Sequence, residues 1–395
     1  RRIFTTGFVI LTAASLLAGL ASSQEILLAG RALQGIGAAL IAPSALTIVM
    51  RLFGHNGAEL GKAFGFWGAA AAAGGSAGVF LGGVITEWMA WQWTFLINVP
   101  LGLIVLTAIP AVLRKSERAL GKVDWFGAIT VTGALVSLVY AIVTIETAGL
   151  GSPLILSLLG ISLALFVIFL IAQRVRREPL LPLGIFKAPN LAAGNLVMAL
   201  LGAAWIPLWF FLNLYLQQVL GLSALASGLA LLPMTILIMI VMVGFSGKLI
   251  GRFGPKTNLI LGLLLMGASL ILFANLPLDG SFVINVLPAS LLAALGMALA
   301  YIPATMSGMA GAKPEETGLA SGLINTSYQI GSAIGLAVMV VISTAGYGHG
   351  SAGPAEMLQG FQAAFQGAGV VAAVAALATL LLIRGAAAQR EVPVG

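Results

Sequence analysis

One arginine lies deep inside an apolar run: Arg31, in the stretch Gly30-Arg31-Ala-Leu-Gln34-Gly35-Ile-Gly37. A cation at the centre of a membrane helix costs roughly 2.5 to 3.5 kcal/mol on insertion scales, so it needs a partner on a protein-facing side. Gln34 stands one turn on, and Gly35, Ala38 and Ala42 continue the same face as a stripe of polar and small residues. Two roles stay open for Arg31 with Gln34: a structural clamp on a carboxylate or carbonyl, or a part in the movement of protons and solutes. A second series steps by four, Trp205, Trp209, Asn213 and Gln217, and a third does the same at Ser321, Asn325 and Gln329. In lipid, amide side chains point inward. Each stripe is therefore either glue between helices or the wall of a cavity, in which aromatic faces hold an apolar or cationic ligand and amides orient it. Met297, Tyr301 and Tyr328 could complete such a wall.

Other chemistry is poorly supplied. Gly74-x-Ser76-x-Gly78 fits the pattern of a hydrolase elbow, but that turn needs a strand entering a helix with a histidine and an acid at hand. The chain has two histidines, His55 and His349, both in loops, and no cysteine. It has no His-Glu-x-x-His pair, no paired aspartates and no phosphate-cradling Gly-Lys-Ser/Thr loop. An intramembrane enzyme and a nucleotide-driven pump are disfavoured, and neither metal nor cofactor is expected. A channel would need a charged or carbonyl-rich filter repeat, which is not visible.

The elements that must position these residues follow from composition. Of 395 residues, 60% are hydrophobic and 8% charged, against roughly 45 to 50% and about 25% in soluble domains. Mean hydropathy is +1.08. A bilayer span takes about 20 mostly apolar residues, and twelve such runs can be marked: 3–21, 25–50, 62–86, 93–113, 125–145, 153–173, 191–217, 224–246, 258–275, 281–301, 318–345 and 361–383. Apart from Arg31, every Lys and Arg falls at one side of the alternating ladder these runs make, from Arg1, Arg2 and Arg51 to Arg384 and Arg390. Glu25, Glu87, Glu146, Asp279 and Glu356 occupy the other side, and no acid lies at a midplane. The positive-inside rule makes the basic side cytoplasmic and puts both chain ends there. The net charge of +7 is thus accounted for by topology, and no nucleic-acid partner is expected. Trp88, Trp91 and Trp93 suit an aromatic belt at the outer interface.

An internal similarity bears on architecture. Gly247-Lys248-Leu-Ile-Gly-Arg252-Phe-Gly254-Pro-Lys256 reads as a short basic turn joining two helices, a candidate gating loop, and Arg1-Arg2 could be the end of an equivalent turn. If the halves are repeats, two helices that precede this turn in the second half have no counterpart in the first. The expectation is an N-terminally truncated chain from a fourteen-helix parent. Residues 1–113 would form a partial N-terminal bundle of four spans, 114–190 two linker spans with basic loops, and 191–395 a six-helix C-terminal bundle with a short tail.

Five ordered stretches carry a resemblance. Gly30-Arg31-Ala-Leu-Gln34-Gly35 resembles a fourth-helix signature, and Gly74-Gly-Ser-Ala-Gly78-Val79-Phe-Leu-Gly82-Gly83 an antiporter motif. Trp91-Gln-Trp93-Thr-Phe-Leu-Ile-Asn98-Val-Pro100 is similar to the entry of a sixth helix. Tyr215-Leu-Gln217-Gln-Val-Leu-Gly221 and Glu316-Thr-Gly318-Leu-Ala-Ser321-Gly322-Leu-Ile-Asn325-Thr resemble signatures of a C-terminal half. Together they resemble the fourteen-helix drug:proton antiporter branch of the major facilitator superfamily. That resemblance implies an all-α polytopic membrane fold and proton-driven export of amphipathic small molecules by alternating access from a bacterial plasma membrane. It also implies a coupling role for Arg31 and Gln34, and a monomer in contact only with lipid, protons and substrate. Gly74, Gly78, Gly82 and Gly83 would form a seam, plain packing or one that slides as access alternates. Val79 stands where the family's motif has Pro, which keeps an uptake symporter or facilitator in play. The first-helix aspartate on which the family relies has no counterpart here, so no proton carrier is assigned.

Overall fold

A computed structural model describes residues 1–54, 57–113, 124–149, 151–176, 178–313, 316–345 and 353–384. His55 and His349 lie outside these residues, and within helices the side chains of Ser76 and Val79 are likewise not described. The order is α1 (Arg2–Gly19), α2 (Gln24–Phe53), α3 (Gly57–Trp88), α4 (Trp93–Leu96), α5 (Asn98–Val112), α6 (Trp125–Ala148) and α7 (Pro153–Val175). A 3₁₀ turn at Leu183–Lys187 leads to α8 (Leu191–Leu214), α9 (Ala224–Gly244), α10 (Ser246–Phe253) and α11 (Pro255–Phe273). The chain continues with α12 (Leu287–Gly308), α13 (Thr317–Thr344) and α14 (Pro354–Leu382). Among the described residues twelve helical stretches are long and apolar enough to cross a membrane, α4 and α5 counting as one. They are the twelve runs marked from hydropathy, and the protein is an all-α, multi-pass membrane protein.

Local chemistry sets several helix ends. Ser23, Ser152 and Ser223 each accept a hydrogen bond from the backbone N–H three residues on, satisfying one of the free donors of a first turn. The last span begins at Pro354, seven residues before the apolar run, because the Glu356 carboxylate turns back to accept from the Gly353 N–H at 3.1 Å. The fourth span breaks at Ile97, between α4 and α5. Pro100 has no N–H to offer the Leu96 carbonyl, and the Asn98 amide bonds back to the Thr94 and Phe95 carbonyls.

The basic turn expected at residues 247–256 proves to be the two-turn helix α10, and only Gly254, at φ 78°, makes the turn. Lys248 and Arg252 lie four residues apart on its exposed face, while Leu249 and Ile250 are half-buried. That amphipathic pattern holds a short helix against the bundle even though two of its residues are glycine. Asn258 fastens the joint by donating to the Leu249 and Gly254 carbonyls.

Packing divides the helices. α1 lies against α2, α4 and α5, α6 pairs with α7, and α8 is surrounded by α12, α13 and α14. α11 packs on α12 and α14, while α3 leaves its sequence neighbours and packs chiefly on α9. Small residues permit the closest crossings: a methyl at Gly331 of α13 would overlap the Ala199 carbonyl of α8. A buried amide pins three helices there. Asn195 of α8 donates to the Leu191 and Gly308 carbonyls and accepts from the Ser327 hydroxyl, joining α8 to α12 and α13.

The α6–α7 hairpin is tied at its basic end by Asp124, whose side chain is fully buried. It caps α6 by accepting from the Gly127 N–H at 2.9 Å, pairs with the Arg176 guanidinium at 2.6 Å, and accepts from Gln173 and the Leu180 N–H. Chiefly through the Gly127 amide, and against the opposing effect of burial, these bonds hold the Asp124 carboxyl below the ordinary carboxylate range. A depressed folded-state pKa stabilises the fold above the unfolded value, about 4, and this contribution disappears as pH falls through the lower folded value. We expect wild-type protein in detergent to lose melting temperature below about pH 4. Asp124→Asn, already lower at neutral pH, should lose less over the same acid interval. Parallel pH–melting curves for the two proteins would contradict this account.

Candidate functional site

A cavity of about 380 Å³ opens between α3, α8, α9, α12 and α13. Its wall is Gly68, Ala71 and Gly75 from α3, Trp205, Ile206 and Trp209 from α8, and Thr235, Ile238 and Met242 from α9, with Met297 and Tyr301 from α12 and Tyr328 from α13. None of these carries a carboxylate, ammonium, guanidinium or imidazole group. The rings are arranged edge to face: Trp205 on Trp209 with centroids 6.0 Å apart, and Tyr301 on Tyr328, also at 6.0 Å. Among the described residues Thr235 is the only aliphatic hydroxyl in the wall, and it bonds to the Leu231 carbonyl one turn back.

The room comes from α3. A Cβ at Gly65 would stand 2.8 Å from the Met242 carbonyl oxygen, and one at Gly83 would stand 2.6 Å from that of Ala224. These are close crossings of α9 at the two ends of α3. Between them, methyls at Gly74, Gly75, Gly78 and Gly82 would meet nothing within 4 Å. Gly75 lines the cavity and leaves room there, while Gly74 and Gly78 lie about half a turn round α3 from the face that Gly65 and Gly83 press on α9.

Both ends of the cavity are bridged. Toward the basic end, the Thr47 and Ser321 hydroxyls of α2 and α13 are 3.1 Å apart, and the Trp67 side chain stands beside Tyr301. At the opposite end the Glu87 carboxylate of α3 accepts from the Leu225 N–H of α9 at 3.3 Å.

The structure gathers part of what the sequence singled out. Trp205, Trp209 and Tyr301 line one cavity, joined by Met297 and Tyr328. Asn213 and Gln217 stand further along the Trp stripe, where Gln217 donates to Asn213 and to Ser227 and ties α8 to α9. Asn325 is half-buried and Gln329 exposed, one turn or less from Tyr328 but outside the wall. Gly74, Gly78 and Gly82 face open space, and of the motif's glycines Gly83 alone is in close contact. Gly247, Lys248, Arg252 and Gly254 sit on and just after α10, away from the cavity.

Arg31 lies well apart, on α2. Its Nη1 donates to Gln34 Oε1 at 2.9 Å, Gln34 Nε2 donates to the buried Ser15 hydroxyl of α1 at 2.8 Å, and the guanidinium stands 5.9 Å from the Phe95 ring centroid. Gln34 is buried, but Arg31, Gly35 and Ala38 are exposed. Among the described residues the expected inward-facing stripe is split, because Gln34 projects toward α1 while Arg31 lies on an uncovered flank.

Sequence reasoning missed the contributions of α3 and α9. The signal was present, since Thr235 is the lone hydroxyl in the middle of an apolar span, and Ile238 and Met242 follow it at helical spacing. Thr47, Trp67 and Asn195 had no sequence pattern to mark them, because their partners lie on distant helices.

The chain is similar to known proteins over most of its length. The puromycin resistance protein pur8 of Streptomyces alboniger is 34% identical over 348 residues, covering 87% of this chain and 69% of that protein. The cephamycin export protein CmcT of Amycolatopsis lactamdurans is 33% identical over 386 residues, covering 97% and 79%. The crystal structure of the human organic anion transporter MFSD10 superposes with a TM-score of 0.60 over 95% of this chain and 76% of that one, at 16% identity, a likeness of fold alone. With twelve apolar helices, a cavity bridged at both ends, and a match to the Major Facilitator Superfamily model over residues 1–336, the chain belongs to the major facilitator superfamily.

Proposed function

We propose that this protein is a proton-coupled exporter of amphipathic small molecules, antibiotics among them, in the drug:proton antiporter branch of its superfamily. One observation carries the reading: an uncharged aromatic cavity lies near the middle of the spans, where α3 faces the helices of the second half. Small-molecule sites are typically apolar clefts of about 300 to 1,000 Å³ with a few placed polar groups. Ring faces and edges accept varied planar or cationic ligands without a fixed counter-charge. The relatives named for puromycin resistance and cephamycin export support efflux of drug-like compounds.

In this reading residues 1–113 and 191–395 form the two moving bodies, with 114–190 as linker spans, and the protein works as a monomer in a bacterial plasma membrane. The basic end faces the cytoplasm. Alternating access parts the Thr47–Ser321 and Trp67–Tyr301 contacts in one state and the Glu87–Leu225 contact in the other. The Gly74–Gly83 stretch is the surface along which α3 shifts on α9, and Arg31 with Gln34 forms a coupling unit outside the drug cavity. α10, with Lys248 and Arg252, forms the cytoplasmic gating segment.

Everted vesicles with an imposed pH gradient test the reading directly. Drug should accumulate in the lumen only while the gradient lasts, and accumulation that ignores the gradient would favour a facilitator. In the same assay Arg31→Ala should lower gradient-driven uptake at least 100-fold while the protein remains at wild-type level in the membrane. A wild-type rate would reduce Arg31 to a structural clamp.

Trp209→Ala and Asn325→Ala make a contrasting pair. Loss of a cavity ring should alter the substrate spectrum, some compounds falling 10-fold or more and others little. Asn325, outside the wall, should shift all compounds together. Growth inhibition across a panel of antibiotics reads both, and a uniform loss for Trp209→Ala would make that ring packing rather than wall.

A further inference from the structure

A second hollow, of about 420 Å³, lies far from the drug cavity at the basic ends of α8 and α14. We infer that it is a binding site for an anionic phospholipid such as phosphatidylglycerol, with the headgroup phosphate held between Lys187 and Arg384 and the acyl chains running outward over Leu196 and Leu382.

The hollow is built in two halves. Its polar half has Lys187 and Arg384, both exposed, and among the described residues no carboxylate in the wall. The floor is a clasp between residues 194 apart in sequence. Asn190, held at φ 64°, accepts from the Arg384 N–H at 2.7 Å and donates to the Arg384 carbonyl at 2.9 Å. Lys256 reinforces the same corner by donating to the Leu380 carbonyl at 2.8 Å. Two cations are thus brought together on a fixed backbone, with the Arg384 guanidinium free to turn toward a ligand. The second half is apolar and points away from the protein: Phe186, Leu196 and Leu382 are 36%, 46% and 50% exposed.

A free phosphate or nucleotide would use the cations and gain nothing from three exposed apolar side chains. A zwitterionic lipid would use the apolar side and bring its own cation against Lys187 and Arg384. An anionic lipid satisfies both halves at once. The membrane-spanning helices α8 and α14 set the hollow at the lipid–water boundary. The charge asymmetry of the loops puts this end in the cytoplasmic leaflet, whose surface is negative and attracts basic pockets between helices. A lipid seated there would bridge the first and last helices of the second half, next to the linker that enters α8.

The test is lipid binding, independent of any transport assay. Purified, delipidated protein is titrated with phosphatidylglycerol or phosphatidylcholine and scored by native mass spectrometry. A photoreactive phosphatidylglycerol then maps contacts by peptide analysis. The expected result is one tight phosphatidylglycerol, crosslinked to peptides containing residues 186–196 and 382–384, with phosphatidylcholine weak. The Lys187→Gln/Arg384→Gln variant should lose about 20-fold in that affinity, following from the roughly tenfold-per-1.4 kcal/mol scale and the usual worth of a basic residue at a charged membrane. Lys248→Gln/Arg252→Gln, which removes equal charge from α10, should retain the tight lipid. Equal loss in both variants, no loss in the first, crosslinks elsewhere, or displacement by inorganic phosphate at lipid-like concentration would each overturn the site. Should the first variant fail to fold, the crosslink map on wild-type protein decides by itself.

Discussion

A helix in hydrocarbon has no water to receive its spare hydrogen bonds, so its backbone must be satisfied within the chain and its polar side chains are drawn to partners there. The consequences run through the whole structure. Hydroxyls inside the spans turn back on their own helix, as Thr12 does to Phe8, Ser15 to Leu11, Thr130 to Phe126 and Thr379 to Ala375. Groups that cannot be satisfied locally become joints between helices. Asn195 binds α8 to α12 and α13, Gln34 binds α2 to α1, and the hydroxyl of Ser162 on α7 reaches the Ala134 carbonyl of α6. The same requirement draws Asp124, the one buried carboxylate among the described residues, into a set of four donors. Lipid tails are as apolar as leucine, so close packing at small residues and these joints replace the hydrophobic drive of a soluble core.

That constraint also explains why a cavity can exist in the middle of the bundle. α3 and α9 cross closely at Gly65 and Gly68 near one end and at Gly83 near the other, where backbone meets backbone or a thioether. At Gly75 a small residue leaves space, and that space is lined by rings anchored on α8, α12 and α13. Trp and Tyr can stand at such an edge because each has a large apolar body and one polar atom, which a neighbour or a ligand can satisfy. The glycines of α3 thus serve two faces: Gly65 and Gly83 make close crossings of α9, while Gly74 and Gly78, about half a turn round, meet no neighbour.

How much of this was legible in the sequence depended on the range of the signal. Span number and the basic-side asymmetry are local sums over about 20 residues, and all twelve spans could be marked. Helix ends were less legible. The cap at Glu356 and the break at Pro100 depend on single backbone bonds that hydropathy averages away, and α10 was hidden by its two glycines although Leu249 and Ile250 already alternated with Lys248 and Arg252. For the site, the step of four placed Trp205 and Trp209 on one face correctly, but the stripe could not say where along the helix the cavity ends. Asn213 and Gln217 continue the same face and spend their amides on each other and on Ser227. Periodicity fixes which face a residue is on. Which helix stands opposite, and at what depth, is tertiary information.

The separation between Arg31 and the cavity shapes any account of coupling. Allosteric coupling is an energy, typically about 1 to 3 kcal/mol, and it needs an element with two arrangements that both sites bias. α2 has the features such an element requires. It carries Arg31 and Gln34 in one half and, sixteen residues on, Thr47 in contact with Ser321 of α13, a distance along the axis of about 24 Å. Between them stands Pro43, inside the helix and without an N–H to offer the Ala39 carbonyl, so the rod has a weak point between these two sets of contacts. The Thr47 hydroxyl bonds both to the Pro43 carbonyl and to Ser321, which ties the conformation of that weak point to the contact with the second half. A change of charge or partner at Arg31 that tilts the first half of α2 would be felt at Thr47 as a choice between keeping and breaking the Ser321 contact, without any substrate atom approaching the arginine.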